Sequence, residues 1–159
     1  MTHCQAIQQA LVSQKLDALL LTSPVNRAYV TGFQSSAGWA LLLPNAAYFM
    51  TDFRYFEAAQ ARIGASLAVR LASREQPARK QIAELLTHYN VKKLGIEADF
   101  MTVSEQTQWK KYITAKMAEA QELLQNARQI KDKAELTAIT RAQRMAEQEI
   151  GRASCRERV

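Results

Sequence analysis

Two short polar segments contain the side chains best suited to bind a ligand. The first is TDFRY at residues 51–55, in which Asp52 and Arg54 follow a predicted strand. Polar groups at the carboxyl end of a strand in an α/β sheet commonly face a ligand crevice. A carboxylate beside a guanidinium holds it in one pose and leaves donors for a substrate carboxylate or carbonyl. A structural ion pair, with Asp52 as a helix N-cap, explains the same residues, and the pattern alone favours this second interpretation.

The second segment is GFQSSAG at residues 32–38, which is small and polar and predicts a loop.

The sequence lacks the residue patterns that are typical of metal sites, nucleophilic catalysis and nucleotide binding. The two histidines, His3 and His88, lie outside any HExxH motif, and Cys4 and Cys155 have no CxxC partner. GxSxG, Walker A and GxGxxG motifs are absent from the sequence. The chain itself therefore offers no predicted catalytic or metal-binding residue.

The composition is that of a folded globular domain. The 159 residues, 48% hydrophobic and 23% charged, suffice for one domain with a core and exclude a disordered chain. No apolar run approaches the roughly 20 residues that span a membrane, and the first residues lack a secretory signal pattern. Two cysteines make no disulfide framework. We therefore expect a cytoplasmic protein with no membrane partner.

The net charge of +6 is compatible with a nucleic-acid partner. Residues 150–159, IGRASCRERV, hold three Arg and one Glu, so the charge without them is +4. Back-translated, this segment matches a common short-read sequencing adapter whose next triplet is a stop codon. We interpret it as translated adapter, and a natural basic tail is the alternative. In the rest of the chain the basic residues are scattered, and no aromatic residues lie between them to stack on bases. We therefore expect no nucleic-acid partner.

Apolar periodicity predicts helices that alternate with short strands. Strands are predicted over residues 17–22, 39–43, 47–51, 67–71, 93–97 and 116–120. Helices are predicted over residues 2–14, 24–31, 53–63 and 102–112. A further helix is predicted to follow a capping box formed by Ser73 and Gln76, and another begins at Asp132. The strands on either side of Pro44-Asn45 predict a hairpin, whereas residues 123–133 are polar and predict a boundary. This order indicates an α/β fold of three layers, with a mixed sheet and helices on both faces.

The two polar segments also resemble a known family. PVNRAYVTGF at 24–33, SAG at 36–38 and TDFRYF at 51–56 resemble the N-terminal domain of the Xaa-Pro peptidases, the aminopeptidase P, prolidase and creatinase group. RQIKDKAEL at 128–136 is similar to the connector that leads to that family's catalytic domain. In order and spacing the resemblance covers nearly all of residues 1–149. Ser35 departs from it, because the family often has a glycine there, and glycine permits backbone angles that serine avoids.

The resemblance implies a ribonuclease H-like, creatinase/prolidase N-terminal domain over residues 1–127. Residues 128–149 would then be a connector and the first helix of a pita-bread metallopeptidase domain. That domain would hold two divalent metals, manganese or cobalt, and a metal-bridging water would attack the scissile carbonyl. Every metal ligand would lie outside this chain, which needs no cofactor of its own. The resemblance further implies a homodimer, a substrate contact for Arg54 and a positioning role for Asp52.

Two functions of different class follow from these observations. In the first, the chain is the substrate-shaping, dimer-forming domain of an Xaa-Pro aminopeptidase or dipeptidase. It would bind peptide substrate together with its catalytic domain and would be inactive alone. In the second, it is a non-catalytic peptide-binding or scaffolding module of the same fold. Under the first, the apolar face of the last helix, from Leu136 to Ala146, lacks its natural partner in this chain.

Overall fold

The computed structural model describes residues 2–63 and 67–156. The chain divides into two compact units, Met1–Ala127 and Arg128–Val159. The described residues form six strands, which are β1 (Ala18–Leu21), β2 (Trp39–Leu43), β3 (Ala46–Thr51), β4 (Ala68–Leu71), β5 (Lys93–Ile96) and β6 (Lys116–Glu119). They also form seven helices, which are α1 (His3–Ser13), α2 (Pro24–Thr31), α3 (Phe53–Arg62), α4 (Ala78–His88), α5 (Val103–Lys110), α6 (Gln121–Gln129) and α7 (Lys133–Arg156).

The six strands form one mixed sheet in the order β4-β3-β2-β1-β5-β6. The predicted β2–β3 hairpin is present, and β2 is antiparallel to both β1 and β3. The other neighbouring pairs, β1–β5, β3–β4 and β5–β6, are parallel. The carboxyl ends of β1, β3 and β5 therefore meet at one edge of the sheet, together with the amino end of β2. This edge, which we call the carboxyl edge, brings together the two polar segments singled out in the sequence.

Helices cover both faces of the sheet, because successive strand residues point to opposite faces. One core lies between the sheet and helices α1, α2, α3 and α6, and it contains Leu19 of β1. The other core lies between the sheet and helices α4 and α5, and it contains Leu20 of β1. The predicted three-layer α/β fold with a mixed sheet is therefore confirmed.

Local capping signals place most helix ends where the sequence predicted them. At α5, the Glu105 N–H donates to Thr102 Oγ1 at 3.2 Å and the Thr102 N–H donates to Glu105 Oε2 at 3.0 Å. Asp132 and Glu135 exchange the same two bonds at the start of α7, at 2.9 and 2.8 Å. Gly32 ends α2 in the left-handed conformation, with φ of 67°. These ends are predictable because each cap joins residues within one helical turn.

The Ser73/Gln76 prediction is wrong as a helix cap. Helix α4 begins only at Ala78, with Pro77 as its N-cap and no side-chain capping bond. Ser73 and Gln76 instead close a turn, in which the Gln76 N–H donates to Ser73 Oγ at 3.1 Å. The physical reason is Pro77, which disfavours a helical conformation at Gln76 and is itself suited to the start of a helix.

The division of the chain after Ala127 falls within the predicted boundary stretch, residues 123–133. The sequence predicted no helix there, but the stretch contains most of α6, because Leu123 and Leu124 are buried in the core shared with α1. Two adjacent leucines suffice to bury one face of a helix whose other face is polar. The boundary was predicted from the mainly polar composition of the stretch, which does not reveal this apolar face. Within residues 53–63, Ala59 and Ile63 are buried and Phe56 is only partly buried.

In the second unit, α7 continues to Arg156. The predicted apolar face is present, with Leu136, Ile139 and Met145 each at least half exposed. The end of the predicted adapter segment, residues 157–159, lies outside the described residues. Within residues 2–63 and 67–156, no helix combines the length and apolar character needed to cross a membrane.

Candidate functional site

Asp52 lies at the junction between β3 and α3, on the carboxyl edge. Thr51 ends β3 fully buried, and its hydroxyl donates to the Ala37 carbonyl at 3.1 Å. Asp52 is the N-cap of α3 in an extended conformation, and its Oδ1 accepts from the Arg54 N–H at 3.0 Å. The predicted N-cap is therefore confirmed. It fixes the point at which the chain leaves the sheet.

Arg54 forms an ion pair with the same carboxylate. Its Nη2 lies 2.6 Å from Asp52 Oδ2, and its Nε lies 3.2 Å from each carboxylate oxygen. The hydrogen bond from Arg54 lowers the pKa of the Asp52 carboxyl, and it raises the pKa of Arg54 above its ordinary value. The Arg54 side chain is 56% exposed, and Nη1 makes no hydrogen bond within the part of the chain that the structure describes. Arg54 is thus held on one side and presents donors to solvent on the other.

Tyr55 connects this pair to the loop of residues 32–38. Its hydroxyl lies 2.8 Å from Ser36 Oγ, and this hydrogen bond lowers the pKa of Tyr55. The Arg54 guanidinium lies 5.4 Å from the centre of the Tyr55 ring, and Phe33 packs edge-on against that ring at 6.4 Å. The sequence did not predict the contact between Ser36 and Tyr55, although both residues fall in the segments that resemble the family.

A groove of about 510 Å³ opens between α2 and this loop. One wall is formed by α2, the other by the loop, and Tyr55 of α3 completes it. The lining residues are Pro24, Val25, Ala28, Gln34, Ser35, Ser36 and Tyr55. The groove therefore has apolar surface on one side and hydroxyl and amide groups on the other, a combination that suits an organic ligand with hydrogen-bonding groups.

Serine at position 35 does not strain the loop. Within residues 32–38 the positive φ angles belong to Gly32, at 67°, and Gly38, at 140°. Ser35 has none, so the departure from the family's glycine costs no backbone strain at this position. Its carbonyl accepts from Arg27 Nη2 at 2.9 Å, which anchors the middle of the loop.

Two buried charged residues that the sequence did not indicate bind the segments on either side of the groove. Arg27 of α2 is 4% exposed, and Glu97, directly after β5, is fully buried. Burial lowers the pKa of Arg27, whereas the negative charge of Glu97 acts in the opposite direction. The sequence offered one signal of their burial: Arg27 and Glu97 each lie beside apolar residues. A charged side chain in apolar surroundings is buried only when it is paired or hydrogen-bonded.

Within Met1–Ala127, the described residues do not offer the two-metal centre that the resemblance implies for the catalytic domain. Within the described residues of Met1–Ala127, no three His, Cys, Asp or Glu side chains come close enough together to share a metal ion. Asp52 is already engaged by Arg54, and Glu97 is enclosed by hydrogen-bond donors. The groove and Arg54 can therefore bind and orient a ligand, and no reaction step is assigned to these residues.

Asp52→Asn is expected to separate the charge of Asp52 from its capping role, because asparagine caps helices about as well as aspartate. The folded-state pKa of Asp52 is lowered, so its charge contributes stability that is fully present above the unfolded pKa of about 3.9. That contribution is lost as the pH falls through the folded-state pKa. Urea unfolding should show the wild type more stable at neutral pH, with the difference shrinking in acid. An equal difference in both conditions would contradict the ion pair.

Comparison of the chain with known protein families gives a match over most of its length. The family model of the Creatinase/Prolidase N-terminal domain matches residues 3–130. The chain therefore belongs to the Creatinase/Prolidase N-terminal domain family. The match covers the whole sheet, both helix layers and the carboxyl edge.

Similar proteins carry peptidase names. A Mycoplasma pneumoniae protein named "Putative Xaa-Pro aminopeptidase" is 37% identical over 100 residues, which make up 63% of this chain and 27% of that protein. A Mycoplasma genitalium protein of the same name is 33% identical over 138 residues, 86% of this chain and 36% of that protein. The solved Xaa-Pro dipeptidase from Bacillus anthracis has a TM-score of 0.77 at 27% identity, covering 85% of this chain and 37% of that one. The chain spans about a third of the length of these relatives.

Proposed function

We propose that this chain is the N-terminal domain of a longer Xaa-Pro peptidase, a hydrolase that cleaves a peptide bond next to proline. The observation that carries the proposal is the match of residues 3–130 to the family's N-terminal domain. It is supported by relatives with peptidase names that align over only 27% and 36% of their own length. In this proposal the remaining two thirds of such a protein supply the reaction, and the chain supplies substrate contacts.

The role of the chain is to shape the substrate site from the carboxyl edge. Arg54 offers the donors that Asp52 leaves unoccupied, and guanidinium donors suit a substrate carboxylate or carbonyl. The groove beside it offers an apolar wall from Pro24 and Val25, which suits the ring of proline. Binding energy from such remote contacts supports catalysis by orienting the scissile bond.

The other parts of the proposal concern what lies outside this chain. The two divalent metals belong to the catalytic domain, which is also the partner of the apolar face of α7. We further propose that the longer protein is a homodimer in which this domain helps shape the second subunit's pocket. Its proposed location is the cytoplasm. The finding that α7 exposes Leu136, Ile139 and Met145 supports a missing partner for that face.

Sequencing the genomic locus from the codon of Leu136 downstream tests this proposal. We expect the natural frame to leave the present sequence at residue 150 and to continue into a domain with two Asp, one His and two Glu at the family's metal-ligand spacing. A frame that continues without these ligands would favour the non-catalytic peptide-binding or scaffolding module. A genomic stop codon after Val159 would overturn both the adapter interpretation and the longer protein.

A further inference from the structure

A single buried guanidinium holds the loop of residues 32–38 at its middle and at its end. Arg27 Nη1 donates to the Thr22 carbonyl at 2.7 Å and to the Gly38 carbonyl at 2.6 Å. Its Nη2 donates to the Ser35 carbonyl at 2.9 Å. These are charge-assisted bonds inside the protein, where they are stronger than bonds between neutral groups in water. Arg27 thereby ties the loop wall of the groove to the end of β1.

A buried carboxylate holds the other wall. Glu97 Oε2 accepts from the Ser23 N–H at 2.8 Å and from the Thr22 hydroxyl at 3.1 Å, and the Thr22 N–H donates to the same oxygen. Glu97 Oε1 accepts from the Ser23 hydroxyl and from Asn26 Nδ2, both at 2.6 Å. Ser23 is the N-cap of α2, so Glu97 ties the start of this helix to the end of β5.

The two charges meet at one peptide segment. Thr22 donates its N–H to Glu97 and accepts from Arg27 through its carbonyl. The Glu97 carboxylate and the two Nη groups of Arg27 bind mainly backbone and hydroxyl groups, whereas Arg27 Nε is buried without a hydrogen-bond partner among the described residues. The opposite charge nearby offsets part of the cost of burial. Since the groove lies between α2 and the loop, one ion is attached to each wall.

We propose that Arg27 and Glu97 are a buried pair of positioning residues that together set the separation of the two groove walls, and so place Ser36 and Tyr55 beside Arg54. Neither residue lines the groove, so neither contacts the ligand. This inference rests on the proposed function for its effect on a peptide substrate. The positioning itself is a property of the chain alone.

The test begins with hydrogen exchange on the 159-residue chain carrying Arg27→Lys or Glu97→Gln. Lysine keeps the positive charge of Arg27 but lacks the planar set of N–H donors that binds three carbonyls. Glutamine removes the negative charge of Glu97 and places an amide N–H₂ group against the N–H and O–H donors that surround the carboxylate. We expect the amides of Thr22 and Ser23, which donate to Glu97, to exchange at least about tenfold faster in Glu97→Gln, while α4 and β5 keep their protection. In Arg27→Lys, which removes the donors to the Ser35 and Gly38 carbonyls, we expect the amide NMR signals of residues 34–38 to shift while those of α4 stay in place. Arg79→Lys, a half-buried arginine of α4, is the matched control. Unchanged or uniformly faster exchange would overturn the proposal.

A measurement on the wild type covers the case in which a variant does not fold. In a chain labelled with ¹⁵N-arginine, the Nη protons of Arg27 should give separate, slowly exchanging NMR signals, because both nitrogens are hydrogen-bonded in the interior. Rapidly averaged Nη signals from all arginines would overturn the proposal.

Kinetics of the longer protein then test the consequence for substrate. Arg27→Lys should raise KM for an Xaa-Pro peptide by about tenfold and leave kcat within about twofold, because the pair positions a binding surface and not the reacting groups. A loss in kcat with unchanged KM would contradict this. If the longer protein cleaves no Xaa-Pro peptide, the proposed function fails, whereas the exchange and NMR results still decide the positioning pair.

Discussion

Gly38→Ala is expected to lower the free energy of unfolding by about 3 kcal/mol, from a backbone cost of about 1–3 and an overpacking cost of about 1–3 kcal/mol. Gly38 has φ of 140°, where a side chain is strained. A Cβ there would also lie 2.9 Å from the Met50 carbonyl oxygen and 2.9 Å from two atoms of the Phe49 ring. Both neighbours are fully buried in the cores, so neither can move away cheaply.

Gly32→Ala is the matched control for this prediction. Gly32 also has positive φ, at 67°, but a Cβ there would meet nothing within 4 Å. We expect a cost of only about 1 kcal/mol, the usual penalty for a non-glycine residue at the end of a helix. Urea denaturation followed by circular dichroism measures both variants. Equal costs would show that Gly38 is required only for its backbone angle and that the loop does not pack closely on β3.

Arg54→Ala in the longer protein is expected to lower kcat/KM for an Xaa-Pro peptide by about tenfold to a hundredfold, which corresponds to about 1.4–2.8 kcal/mol of binding to the transition state. The reason is the orientation imposed by Asp52, which leaves Nη1 for the substrate. Arg54→Lys should recover little of the loss, because an ammonium cannot keep the two-oxygen contact with Asp52 and also bind a ligand in a fixed direction.

The control for Arg54 is on the same helix. Arg62→Ala removes a positive charge from the last turn of α3, away from the carboxyl edge, and should leave kcat/KM within about twofold. Thermal unfolding of both variants should be close to that of the wild type, because an exposed ion pair contributes little stability. Unchanged kinetics in Arg54→Ala would return the Asp52–Arg54 pair to a structural ion pair and N-cap.

The helix ends and the hairpin were predictable because their causes are local. Thr102 and Glu105 are three residues apart, and Asp52 and Arg54 are two apart, so the bonds between them follow from the geometry of one turn. The same spacing at Ser73 and Gln76 fails because of the proline that follows. The burial of Leu123 and Leu124 was not predicted because it depends on a core whose other members, such as those of α1, lie far earlier in the sequence.

The buried part of the site could not be predicted for a related reason. Arg27 and Glu97 are brought together by the pairing of β1 with β5, and no pattern within either segment encodes that pairing. Ser36 and Tyr55 meet because the carboxyl end of β3 and the amino end of β2 share one edge. Sequence reasoning thus identified the exposed arginine and its carboxylate, and the fold was needed to show what holds the surrounding groove.

The most direct test of the account compares the 159-residue chain with the longer protein in one assay of Xaa-Pro peptide cleavage. Both are assayed at equal molar concentration, with and without a metal chelator. We predict chelator-sensitive cleavage by the longer protein and none above buffer by the chain, because the proposed function places both metals in the remaining part of the longer protein. Chelator-sensitive cleavage by the chain alone would contradict the account.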